Sequence, residues 1–70
     1  LEAGKEMSKG IVRIEFKTDN AAFEDYRSLY IADILKEIAD SIAYSYQTEG
    51  VIRDVNGNAI GTWTTNGTNE

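Results

Sequence analysis

Three oxygen-bearing side chains alternate along one short stretch of the chain, as calcium ligands often do. In the segment "RDVNGNAIGTW", residues 53–63, Asp54, Asn56 and Asn58 stand at every second position. An EF-hand loop places oxygen ligands at its first, third and fifth positions, glycine at the sixth and glutamate at the twelfth. Here Ala59 stands at the sixth position and Thr65 at the twelfth. The match to a calcium loop is poor, so no metal or cofactor is predicted.

The same segment is typical of a β-hairpin turn. Aspartate at the first position and glycine at the fourth, as in residues 54–57, mark a type I turn. Gly57 would then adopt a left-handed conformation and form a bulge; the rival is a two-residue type I′ turn centred on Asn56 and Gly57. Either way, we expect structural turn roles for Asp54, Asn56, Gly57 and Asn58.

The register of the hairpin distinguishes the two turns. The bulged turn sets Ile52 opposite Ile60, whereas the two-residue turn sets Ile52 opposite Gly61. A slip of one residue moves the apolar side chains of a strand to the wrong face, so the bulged turn is favoured. A second bulge at Gly61 would bring Trp63 back to the inner face; without it, Trp63 points outward.

Residues suited to catalysis are scarce. The chain has no cysteine and no histidine, which removes disulfides, thiolate metal sites and the commonest general base. Paired acids such as Glu37 and Asp40 fall on the polar face of a predicted helix, where solvated charge is the ordinary explanation. The serines have no histidine partner, and no nucleophile elbow or phosphate-binding loop occurs. The sequence therefore predicts no catalytic residue and a protein that is not an enzyme.

Hydrophobic periodicity predicts one domain with the order β-α-β-β. The segment "IVRIEFKT" alternates as a half-buried strand does, and Phe23 stands alone in a polar connection as a plug for the core. A long helix is predicted from about Tyr26 to Tyr46 and ends before Gly50, and the hairpin follows. We predict an α+β fold in which this helix packs on a three-stranded antiparallel or mixed sheet. The predicted domain covers residues 11–64, with disordered tails at residues 1–10 and 65–70.

The apolar positions of these elements predict the core. Alternate strand residues and the i, i+3, i+4 stripe of the helix should face each other. The predicted core consists of Val12, Ile14, Phe16, Phe23, Ile31, Ile34, Leu35, Ile38, Ile42, Ile52 and Ile60.

Charge and length limit the classes of partner. The net charge of −5 disfavours nucleic-acid binding, which requires positive surface. No apolar run approaches the roughly 20 residues of a membrane helix, and no signal peptide is visible, so a cytoplasmic protein without membrane contact is expected. A chain of 70 residues buries a small core, and exposed sheet edges invite pairing, so a homodimer is predicted. Tyrosine and tryptophan are enriched at interfaces, and the interface candidates are Tyr30, Tyr44 and Trp63.

Three motifs together resemble a known group of proteins. These are "TDNAAFED" at 18–25, "IADILKEIADSI" at 31–42 and "RDVNGNAIGTW" at 53–63. With them the chain resembles very small uncharacterised proteins of phages, prophages and mobile elements, over roughly residues 11–64. The resemblance implies a β-α-β-β order and a mobile-element origin. It implies no activity and no catalytic residues.

Two function classes remain open from the sequence. The first is a small non-enzymatic interaction module that binds a host or phage protein; one version is an acidic inhibitor that competes with DNA for a basic surface. The second is a nucleic-acid-binding accessory protein that uses the outer sheet face, with Arg13, Lys17 and Arg53 as contacts.

Overall fold

One helix and three strands form the fold. The computed structural model describes residues 10–68. Strand β1 spans Ile11–Phe16, a 3₁₀ turn spans Ala21–Phe23, and helix α1 spans Arg27–Tyr44. Strands β2 (Glu49–Arg53) and β3 (Ala59–Gly67) follow. The predicted β-α-β-β order and the α+β class are confirmed.

The strand that comes latest in the chain lies in the middle of the sheet. The order is β1-β3-β2, and both pairings are antiparallel. Ile14 lies opposite Trp63, which in turn lies opposite Gly50, so these three residues share the face that meets the helix. The sequence left a mixed sheet open; the structure has an antiparallel one.

The connection after β1 turns inward and fills one end of the core. The side chain of Asn20 accepts a hydrogen bond from Ala22 N (3.0 Å), which caps the 3₁₀ turn. Phe23 is buried and packs edge-to-face against Tyr30, with 6.4 Å between ring centroids. The plug predicted from a lone phenylalanine is therefore confirmed.

Helix α1 is shorter than the predicted span of 26–46, and a tyrosine rather than a glycine ends it. Tyr46 adopts a left-handed conformation with φ 55°. Ser45 N and Gln47 N then both donate to the carbonyl of Ser41, at 3.2 and 3.1 Å. This closes the helix as a glycine cap would. Gly50, predicted to end the helical segment, instead lies in the interior of β2.

The sheet also extends beyond the predicted end of the domain at residue 64. Residues 65–67, placed by the sequence in a disordered tail, belong to β3. Thr65 N donates to Thr48 O at 2.8 Å, and Ile11 lies opposite Gly67. Backbone hydrogen bonds hold this polar stretch in the sheet, so its low hydrophobicity wrongly predicted disorder. The predicted tail at residues 1–10 lies, except for Gly10, outside the described residues.

The buried core is smaller than predicted and lies toward β2 and β3. It consists of Phe23, Ile34, Ile38, Ile52 and Trp63, with partly buried Phe16, Ala22, Tyr30, Ile31 and Ile60 against it. Four residues of the predicted core are exposed, namely Val12 (59%), Ile14 (40%), Leu35 (43%) and Ile42 (36%). Glu37 and Ser41 of the helix line a cavity with β2, whereas the opposite helix flank and the side chains of Val12 and Ile14 on β1 are exposed.

A second irregularity in the hairpin decides where Trp63 points. Arg53 lies opposite Ala59 but Ile52 lies opposite Gly61, so Ile60 is an extra residue on β3. The shift reverses the alternation beyond it and turns Trp63 inward, where only 5% of its surface is exposed. The conditional prediction of a second bulge near Gly61 is confirmed. The bulged turn itself is present, because Asp54 N donates to Asn58 O, but the predicted pairing of Ile52 with Ile60 is wrong, since the second bulge shifts Ile52 to Gly61.

Over residues 10–68, no helix is both long and apolar enough to cross a membrane.

Candidate interaction groove

A buried carboxylate organises the hairpin turn. Gly57 has φ +87° and donates its N–H to Asp54 O at 2.9 Å, and Asp54 N donates to Asn58 O at 2.9 Å. The Asp54 side chain is 7% exposed and accepts four hydrogen bonds. Its Oδ1 receives Asn56 N and Asn58 N at 2.9 Å each, and its Oδ2 receives Asn20 Nδ2 at 2.8 Å and Asn58 Nδ2 at 3.3 Å.

This network joins two distant parts of the chain. Asn20 caps the 3₁₀ turn with its side-chain oxygen and reaches Asp54 with its side-chain nitrogen. The hairpin turn is thereby fixed against the segment that carries Phe23. Both carboxylate oxygens accept hydrogen bonds from protein donors, and the side chain of Asn58 and the backbone N–H of Asn56 are among them. Among residues 10–68 there is no cluster of three or more metal-ligating side chains.

The same donors change the acidity of the carboxylate. The backbone N–H of Asn58 lowers the pKa of Asp54 most strongly, burial opposes this, and the side chains of Asn20 and Asn58 and the N–H of Asn56 lower it further. The net effect holds the pKa below the ordinary value of 3.8. Because the folded pKa is the lower one, ionised Asp54 stabilises the fold above pH 3.8, and this stabilisation is lost as the pH falls through the folded pKa.

We expect Asp54→Asn to destabilise the protein near neutral pH and to reduce its sensitivity to acid. The substituted amide would turn an N–H₂ group toward Asn20 Nδ2, setting a donor against a donor. Urea unfolding of both proteins from pH 7 to pH 2.5 measures the gap in their unfolding free energies. The gap should be widest near neutral pH and should narrow below pH 3.8. A gap that stays constant over this range would show that the carboxylate charge is not the cause.

A groove runs between helix α1 and the hairpin, beside this network. We call it the helix–hairpin groove; it encloses about 560 Å³ and is lined by Phe23, Tyr30, Asp33, Ile34, Glu37, Val51, Arg53, Asp54, Val55 and Gly57. A smaller cavity of about 180 Å³ continues along the helix and shares Ile34, Glu37, Val51 and Arg53 with it.

The groove combines an apolar interior with charged borders. Phe23 and Ile34 are buried, whereas Val51 and Val55 expose 56% and 64% of their surface. Asp33 and Glu37, one helical turn apart on α1, are exposed on the helix side. Arg53 on the hairpin side donates to Gly57 O at 3.1 Å. Such a site can take an apolar side chain and pair a neighbouring cation with the helix acids.

The three predicted interface residues occupy different parts of the molecule. Tyr30 is half-buried and lines the helix–hairpin groove, held between the rings of Phe23 and Tyr26. Tyr44 is 79% exposed near the other end of α1, about 21 Å away along the helix axis at ~1.5 Å per residue. Trp63 is a core residue that borders the smaller cavity. Only Tyr30 lines the groove.

Sequence reasoning missed Asn20, Val51 and Val55 as contributors to this region. Asn20 and Asp54 are 34 residues apart, and nothing in their local sequence signals the contact. Val55 does carry a local signal. It is an apolar residue within a polar turn, where it cannot reach the core, and this marks it as a candidate surface contact.

Comparisons with protein-family models, with curated proteins and with solved structures return no match.

Proposed function

We propose that the protein is a small non-enzymatic interaction module whose helix–hairpin groove binds a segment of another protein. The observation that carries the proposal is the groove with a partly apolar lining, the exposed Val55 at its hairpin side and two acids along its helix border. The partner segment would insert an aliphatic or aromatic side chain between Tyr30 and Val55. A lysine or arginine beside that anchor would meet Asp33 or Glu37.

Two further observations support this occupant. The net charge of −5 attracts a basic segment at long range, and charge complementarity favours association and specificity. Tyr30, held between two aromatic rings, presents a rigid surface, which lowers the entropy lost on binding. The groove volume also falls within the range of about 300–1,000 Å³ that is typical of ligand pockets.

The outer sheet face gives less support to the alternative of nucleic-acid binding. Arg13 lies in one row with Thr64 and Glu49, and Glu15 lies in the next row with Thr62. Acidic side chains thus stand among the proposed phosphate contacts. Arg13 donates to Thr68 O at 2.9 Å, and Arg53 to Gly57 O, so these two cations already have neutral partners.

The test begins with a probe of defined chemistry. Random 12-residue peptides displayed on a neutral carrier are selected on the immobilised protein, and the winners are synthesised and titrated. We expect winners with one aromatic or aliphatic anchor beside lysine or arginine. Amide chemical shifts in a nitrogen–proton spectrum should change around Tyr30, Val51 and Val55.

A charge-reversal pair makes the prediction quantitative. Asp33→Lys with Glu37→Lys should weaken peptide binding at least about tenfold, or about 1.4 kcal/mol, because both cation partners become repulsive. Glu24→Lys with Asp25→Lys is the matched control: it changes the net charge equally, on exposed acids that do not line the groove. Equal losses in both variants would show non-specific attraction, and winners without an anchor would refute the groove as the site.

The motif resemblance supports a phage or mobile-element origin, and we propose a cytoplasmic partner from the host or the element. The absence of histidine and cysteine supports a role without catalysis.

A further inference from the structure

An open edge of the sheet lies beside apolar residues that this chain leaves exposed. In the described part of the chain, β1 pairs with β3 on one side only. Val12 and Ile14 of this strand, predicted to be core, are exposed. An edge strand with apolar side chains is a template for pairing with another strand.

The hydrogen-bonding pattern of β1 shows which residues face this edge. Lys17 N donates to Ile60 O at 3.1 Å. In an antiparallel pair, every second residue exchanges hydrogen bonds with its opposite, and the residues between them point the other way. Glu15 and Arg13 are therefore bonded to β3. Val12, Ile14 and Phe16 direct their N–H and C=O groups away from the sheet.

These free groups fit a second copy of the same strand. In an antiparallel pair of two β1 strands, the residues whose N–H and C=O groups point away from the sheet must lie opposite the same kind of residue in the other copy. A dyad at Ile14 meets this need, because Ile14 then lies opposite itself and Val12 lies opposite Phe16. This register also gives the longest overlap of residues 11–17.

Charge selects the same register. With the dyad at Ile14, Arg13 of each copy lies opposite Glu15 of the other, so the dimer gains two opposite-charge pairs. Shifting the strands by two residues in either direction keeps the hydrogen bonds but sets Arg13 opposite Arg13, or Glu15 opposite Glu15. Like charges directly opposite each other destabilise a sheet.

The helix supplies apolar surface on the same side. Ile34 faces the sheet and Glu37 faces the β2 side, so at 100° per residue Leu35 and Ile42 lie on the flank nearer β1. A dyad perpendicular to the sheet keeps both helices on one face of the joined sheet. Leu35 and Ile42 of each copy would then point toward the dyad, above Val12 and Ile14.

We infer that two copies of this chain join through antiparallel pairing of their β1 strands about Ile14, forming one six-stranded sheet. The occupant of this edge is thus a second copy, and the helix–hairpin groove of each copy stays open on the far side of its helix. This inference does not depend on the proposed groove function.

Light scattering after size-exclusion chromatography tests it, with the full 70-residue chain at about 10 μM to 1 mM. The wild type should have a dimer mass. Arg13→Glu alone and Glu15→Arg alone should each raise the dissociation constant at least about tenfold, since both cross-dyad pairs become repulsive. The double variant Arg13→Glu/Glu15→Arg should restore the dimer, which a variant that had merely misfolded would not do.

A cysteine scan reads the register directly, because the natural chain has no cysteine. Ile14→Cys should form an intermolecular disulfide under mild oxidation, since residues at the dyad of a bonded pair have Cα atoms about 5.5 Å apart. Arg13→Cys and Glu15→Cys are the controls and should cross-link much more slowly. Three results would overturn the inference. The wild type could be a monomer over the whole concentration range, or both single charge reversals could leave the dimer dissociation constant unchanged. The third is faster cross-linking at a control position than at Ile14→Cys.

Discussion

Gly61→Ala should unfold the protein. A Cβ atom at this position would lie 2.5 Å from Phe16 Cα and 2.6 Å from Phe16 Cβ, and closer still to the carbonyl oxygen of Glu15. The obstacle is largely backbone, so no rotation of a side chain relieves it. Strands β1 and β3 would have to move apart along the pairing of residues 13–16 with 61–64. We expect a loss of about 3 kcal/mol or more, close to the whole stability of a domain of this size.

Gly57→Asn is the matched control for this substitution. Gly57 also needs a special backbone, with φ +87°, but nothing lies within 4 Å of the position of its Cβ. Asparagine tolerates the left-handed region, so the substitution should cost about 1 kcal/mol of unfolding free energy. Far-UV circular dichroism during thermal unfolding compares both variants with the wild type. A Gly61→Ala protein that melts cooperatively within a few degrees of the wild type would refute the close approach of the two strands.

Trp63→Ala should remove most of the free energy of unfolding of the wild-type protein. Trp63 is the largest buried side chain of the core and projects into it from β3, the central strand of the sheet. Its indole lies directly over Gly50, where a Cβ would come within 2.6 Å of Nε1, so Gly50 offers no side chain to fill the space that the truncation leaves. Truncation of a buried tryptophan costs about 3–5 kcal/mol.

Tyr44→Ala provides the comparison for Trp63. It removes an aromatic ring that is 79% exposed, and we expect a change within about 0.5 kcal/mol. The unfolding free energy of both variants is measured by urea unfolding monitored by circular dichroism. Tryptophan fluorescence cannot be used, because Trp63→Ala removes the fluorophore. If Trp63→Ala and Tyr44→Ala lowered the unfolding free energy by similar amounts, the tryptophan would not be part of the core. The second bulge, which turns it inward, would then be refuted as well.

Predictions of element order and of single buried residues, which rest on local patterns, were correct, whereas predictions that depend on distant neighbours were wrong. The order β-α-β-β and the inward turn of Phe23 follow from periodicity and from an isolated apolar residue. The end of the helix was misplaced because Tyr46 takes the left-handed position usually given to glycine. Gly50 looked like a helix stop but is needed as glycine because the Trp63 indole covers it.

The extent of the core illustrates the same limit. Val12, Ile14, Leu35 and Ile42 fit the apolar pattern of their elements as well as the buried residues do. Which of them is buried depends on where the helix lies across the sheet, and the helix lies toward β2. Of the residues that line the groove, Tyr30 was predicted from the sequence as an interface residue. The contact of Asn20 with Asp54 joins residues 34 positions apart, and no local sequence pattern predicts it.

The central position of β3 has a consequence for the order of folding. β2 and β3 are joined by a short turn and can pair in microseconds, as hairpins do. β1 must wait until about 45 further residues have been synthesised, because its pairing partner, including Gly61 opposite Phe16, follows all the other elements. During that interval the ribosome-bound chain carries an apolar strand with two unpaired edges. Pairs so distant in sequence slow folding, and we expect the docking of β1 to be the final and rate-limiting step.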